Sequence, residues 1–120
     1  MNHSICHIEI PTTDMEKAIK FYRELFGWKI EMWQDPAYAT FDTGGEPGGG
    51  IMKVDRVSPP MEMGLTFYVL VDNIEDTLSK AEKLGGKFVK EKTAVSDIGW
   101  FGLFSDLDGN VIGIWKSKPK

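Results

Sequence analysis

Apolar and polar positions alternate over residues 5–10, the period of a half-buried strand, and Pro11 bounds the run. Thr12, Thr13 and Asp14 then offer side-chain oxygens that can cap a helix. From Met15 the apolar residues change period. Ala18, Ile19, Tyr22, Leu25 and Phe26 fall on one face of a helix, and Gly27 stands where a helix-ending glycine is expected. Trp28 to Trp33 and Tyr38 to Asp42 read as strands, with Pro36 marking the turn between them. The glycine-rich run Gly44–Gly50 reads as a turn and mobile rim, and Ile51 to Val54 as one more short strand.

After Pro59-Pro60 the pattern starts again. Leu65 to Val71 reads as a strand. Asp72 or Asn73 would cap a helix that carries Ile74, Thr77, Leu78, Ala81 and Leu84 on one face, and Gly85-Gly86 would end it. Lys87 to Lys90, Trp100 to Ser105 and Val111 to Trp115 read as strands. Asp108-Gly109-Asn110 is a turn signal before the last of them. His7 matches Thr66 and Asp14 matches Asn73 at one shared offset of about 59 residues. The chain therefore reads as α+β, with two tandem β-α-β-β-β modules. Module one covers about 4–54, a linker about 55–63, and module two about 64–116, within one domain of 120 residues.

Composition narrows the function. The net charge is −4 and no basic run is present, so phosphate backbones would be repelled and nucleic acid is excluded as a partner. No apolar stretch is long enough to span a bilayer, and the N-terminus lacks the pattern of a secretory signal. One cysteine, Cys6, rules out an internal disulfide; in its apolar context it reads as a buried, inert thiol. These features together lead to the expectation of a cytoplasmic protein.

Several runs resemble a known family. His7 to Asp14, Ala18 to Tyr22 and Leu25 to Trp28 resemble the first module of the vicinal oxygen chelate superfamily, which includes glyoxalases, bleomycin resistance proteins and extradiol dioxygenases. Val71 to Ile74, Ala81 to Lys87 and Phe104 to Ile112 resemble its second module. The resemblance covers nearly the whole chain and is nearest to the short glyoxalase-related proteins. It implies curved mixed sheets that form an open barrel-like cleft, with ligand and metal sites inside, and a homodimer.

It also implies where metal ligands would stand. Of four such positions, His7 keeps a donor, Thr66 is a poor neutral one, and Gly113 and the region of Gly50 or Ile51 have none. A catalytic divalent site has about three protein ligands. The expectation is therefore a small-molecule binder with no cofactor. The alternatives are a metal-dependent lyase or isomerase of the glyoxalase type using His7, and a non-catalytic dimer module.

Strand alternation names the residues expected to line the cleft. If His7 faces it, so does Glu9; the repeat adds Thr66 and Tyr68, and the last strand adds Trp115 beside Gly113. Trp100, Trp33 and Phe104 would extend an aromatic wall. Aromatic walls with a few polar points suit a small planar or apolar ligand. The competing reading for each aromatic is core filling. Asp106 and Asp108 read as turn formers rather than paired catalytic carboxylates.

Overall fold

Asp14 and Asn73 decide where the two helices start. Each is extended, and each side chain accepts a hydrogen bond from the backbone N–H three residues on, that of Lys17 and of Asp76. A computed structural model describes residues 3, 5–56 and 66–119 of the chain. Contacts divide it into two units, Met1–Ser58 and Pro59–Lys120.

The first unit runs β1 (His7–Thr12), α1 (Met15–Phe26), β2 (Lys29–Met32), β3 (Tyr38–Asp42) and β4 (Gly48–Lys53). Its sheet has the order β1-β4-β3-β2, with β4 parallel to β1 and antiparallel to β3. Gly27 ends α1 at φ 71°, a left-handed backbone that glycine adopts without a Cβ clash. Ala18, Phe21, Tyr22 and Leu25 of α1 are buried, as are Ile10, Ile30, Ala39, Phe41 and Ile51 of the sheet. Trp28 stacks between Tyr22, at 5.3 Å, and Phe41, at 4.6 Å. These alternate strand positions face the core, so the intervening ones form the opposite face of the sheet.

The second unit repeats the order with β5 (Tyr68–Leu70), α2 (Ile74–Lys83), β6 (Lys87–Val95), β7 (Gly99–Ser105) and β8 (Val111–Ser117). Its sheet runs β5-β8-β7-β6. Ile74, Leu78 and Ala81 are buried, together with Phe104, Ile112 and Ile114. The two β-α-β-β-β modules of the α+β class are therefore present, each with a mixed four-stranded sheet. No helix among the described residues is long and apolar enough to cross a membrane.

Several boundaries differ from expectation. Gly48–Gly50 are not turn but the first half of β4, an inner strand paired on both sides. A side chain at Gly49 would overlap the Ile8 carbonyl and the Phe41 ring, so glycine here serves close approach inside a sheet. Pro11 lies within β1, which tolerates it as an edge strand. Cys6 precedes the paired part of β1 and is exposed rather than buried. Strand β6 runs on through Val95, past the expected end at Lys90, with shifts of register along the way. Its added residues are polar or exposed on a sheet edge except the half-buried Val95, so no hydrophobic alternation marked them. Leu65 and most of the expected linker lie outside the described residues.

Candidate functional site

Strand alternation puts His7 and Glu9 of β1 on the sheet face away from α1. Both are exposed, with 46% and 41% of their side-chain surface open. On β4 the neighbour of Glu9 is Gly50, which is also the neighbour of Thr40 on β3. Two residues before Thr40 stands Tyr38, on the same face. Its ring crosses Gly50, where a Cβ would overlap the phenol oxygen. Tyr38 thus reaches β1 over a gap that only glycine leaves.

The Tyr38 hydroxyl donates a 2.6 Å hydrogen bond to Glu9 Oε2. His7 Nε2 lies 2.8 Å from the same oxygen and 3.0 Å from the Tyr38 hydroxyl. A carboxylate only accepts, so Nε2 meets Glu9 as an N–H donor. Tyr38 directs its O–H at Glu9 while keeping the proton, which leaves a phenol oxygen lone pair facing the imidazole. The bond from Tyr38 is the main cause that holds the Glu9 carboxyl below its ordinary value, with the bond to His7 next. The same bond to Glu9 pushes the Tyr38 phenol up to about 12, because ionising it would forfeit the donated hydrogen bond; partial desolvation and the nearby carboxylate charge add to this. At neutral pH the cluster therefore holds an ionised carboxylate and a neutral phenol. Trp33 stands beside it, edge-on to Tyr38 at 6.2 Å and 58% exposed.

The second unit has the same geometry with different chemistry. Tyr68 occupies the position of Glu9, and Gly113, its neighbour on β8, that of Gly50. The Tyr68 ring covers Gly113 and meets Phe101 edge-on at 6.3 Å. Trp115 lies on this face too, paired with Phe101, and its Nε1–H donates to Ser117 Oγ at 2.9 Å. Thr66 turns its hydroxyl to the backbone, donating to the Val111 carbonyl at 2.7 Å. Where the first unit has a polar trio, the second has an aromatic one.

Trp100 is placed differently. It shares the face of Gly102, whose missing Cβ would meet Ile74 and Leu78 of α2. There the Lys92 ammonium lies 4.9 Å from the Trp100 ring and 3.3 Å from Glu75 of α2. The structure therefore brings Tyr68 and Trp115 to one face of the second sheet and Trp100 to the other. Phe104 is fully buried on the helix side, as core.

Tyr38 is the residue that sequence reasoning missed. The signal was present in Gly50, since a glycine inside a strand marks close approach by another group. Reading the glycine run as a turn hid it.

These side chains do not fit a resident divalent metal. His7 and Glu9 give one imidazole and one carboxylate, already bonded to each other. Position 50 is taken up by the Tyr38 phenol, position 113 by the Tyr68 ring, and the Thr66 hydroxyl by a backbone carbonyl. Among the described residues no three His, Cys, Asp or Glu side chains are grouped to hold a metal ion. About three protein ligands are the usual need of a catalytic site.

Comparison with known proteins agrees with the fold. A "Glyoxylase-like domain-containing protein" of Didymella fabae is 33% identical over 126 residues, covering 95% of this chain and 94% of its own length. The fosfomycin resistance protein FosX of Listeria monocytogenes superposes with a TM-score of 0.78 at 18% identity, over 100% of this chain and 94% of its own. A glyoxalase-related enzyme from Fulvimarina pelagi gives 0.77 at 18% identity, over 95% and 88%. The family model of the Glyoxalase/Bleomycin resistance protein/Dioxygenase superfamily matches residues 4–114, and the chain belongs to that superfamily.

Proposed function

We propose that this protein binds a small organic molecule at the exposed face formed by His7, Glu9 and Tyr38, without a tightly held divalent metal. The observation that carries this reading is the Tyr38 phenol above Gly50. It fills the place where a metal-binding side chain would stand and spends its proton on Glu9. What remains is a fixed, solvent-facing hydrogen-bonding cluster with an exposed indole beside it. Polar points that orient a ligand next to aromatic surface are the makings of a small-molecule site. Tyr68 and Trp115 supply aromatic surface on the second sheet in the same way.

Two measurements test the reading. Metal analysis of the purified chain should find nickel, zinc, manganese and iron well below one equivalent. A thermal-shift screen of diverse small molecules should find ligands whose effect shrinks in Tyr38→Phe. Tight one-to-one metal that disappears in His7→Ala would overturn the metal-free reading. A screen without a single stabilising compound would overturn the binding reading.

A further inference from the structure

We infer that the His7–Glu9–Tyr38 face takes a cationic ligand, an ammonium or guanidinium group carried on an aromatic or apolar body. This inference rests on the binding function proposed above and adds the ligand's charge. It starts from how Glu9 is used. Tyr38 and His7 both bond to Oε2. Oε1 of the same carboxylate has no hydrogen-bond partner among the described residues. The side chain is thus held from one oxygen while the other, on an exposed residue, is open to a donor.

The neighbouring side chains favour the same ligand. Trp33 and Tyr38 meet edge-on, and Tyr38 joins the rings to the carboxylate through its hydroxyl. A cation is attracted both to an aromatic face and to a carboxylate, and the two attractions act together when they are adjacent. Alternation adds Glu31, exposed beside Thr40, to this face. Its one lysine on β2, Lys29, sits opposite Asp42, so the charges at that end offset each other. An anionic ligand would meet the Glu9 carboxylate on a face that Glu31, across β4 and β3, makes more negative, with the His7 N–H turned toward Glu9. A neutral ligand would forgo the charge-assisted bond.

The test uses the full chain and three probes of one skeleton: phenethylammonium, phenethyl alcohol and phenylacetate, each titrated by calorimetry. The ammonium should bind at least about tenfold more tightly than the alcohol, the scale of one charge-assisted bond. Glu9→Gln, checked for an unchanged circular dichroism spectrum, should remove that preference. Trp33→Ala should weaken the ammonium several-fold while Glu9 still discriminates charge. Equal or tighter binding of the alcohol or of phenylacetate would overturn the inference, as would ammonium affinity unchanged by Glu9→Gln. Failure of all three probes up to millimolar concentration would overturn it as well. Stabilising compounds of other charge in the broad screen would then leave the binding function standing, whereas an empty screen would remove both.

Discussion

The phenol of Tyr38 stands in the space that any side chain at position 50 would need, and Gly50 is what lets it reach Glu9. Two neighbouring glycines of β4 are therefore not equivalent. At Gly49 a Cβ would meet the Ile8 backbone, which cannot move without breaking the β1–β4 ladder. At Gly50 it would meet the end of a partly exposed side chain that can rotate away. Gly49→Ala is expected to cost roughly 2 kcal/mol or more by overpacking, and Gly50→Ala well under that. Only Gly50→Ala should displace Tyr38 from Glu9. Urea denaturation together with phenol titration separates the two effects.

The Tyr38 phenol should titrate near 12. Its folded value lies above the ordinary one of 10.0, so its contribution to stability is complete below pH 10 and fades as pH rises toward 12. Glu9→Gln removes the largest cause, and the midpoint should move down toward the ordinary value. Ultraviolet difference absorbance across the alkaline range reads this directly. A midpoint unmoved by the substitution would mean that the hydrogen bond is not what holds the proton.

Glu9 behaves in the opposite sense. Its carboxyl titrates below the ordinary 4.5, chiefly because Tyr38 donates to it. Its contribution is present above pH 4.5 and is lost as pH falls through the lower folded value. Tyr38→Phe should raise the Glu9 midpoint, and His7→Ala should raise it too. Carbon NMR of the labelled carboxyl follows both. The site is exposed, so global stability should change little in either variant.

The stack of Tyr22, Trp28 and Phe41 anchors the first unit on the side of the sheet opposite His7, Glu9 and Tyr38. Phe41 is 5% exposed, and Phe41→Ala should cost about 3–5 kcal/mol, through lost burial and a cavity. Leu70, 78% exposed at a sheet edge, serves as the contrast: Leu70→Ser should stay within roughly 0.5 kcal/mol. Thermal denaturation of the two variants gives the comparison.

Asp106 shows the same logic in a turn. Its carboxylate is buried and accepts hydrogen bonds from the N–H groups of Asp108 and Asn110 and from the Asn110 amide. Asp106→Ala would leave these donors without their acceptor and should cost about 1–3 kcal/mol. The measurement is chemical denaturation, with Asp108→Ala as a control expected to cost less.

The sequence by itself determined the repeated modules, helix caps within Thr12–Asp14 and at Asp72 or Asn73, and a shared strand face for His7 and Glu9. Each of these follows from short-range rules: a capping oxygen three residues from its donor, a period of 3.6 or of 2. The family resemblance also marked Gly113 and the region of Gly50 or Ile51 as bare of metal-binding side chains. Only the tertiary structure decided what took their place. That Tyr38 crosses Gly50 depends on the register of three strands, and that Trp100 faces α2 while Trp115 faces away depends on which residues of β7 and β8 are paired. Local periodicity fixes the order of side chains along a strand. Register fixes which side chains from different strands meet, and hydrogen bonding between distant segments sets it.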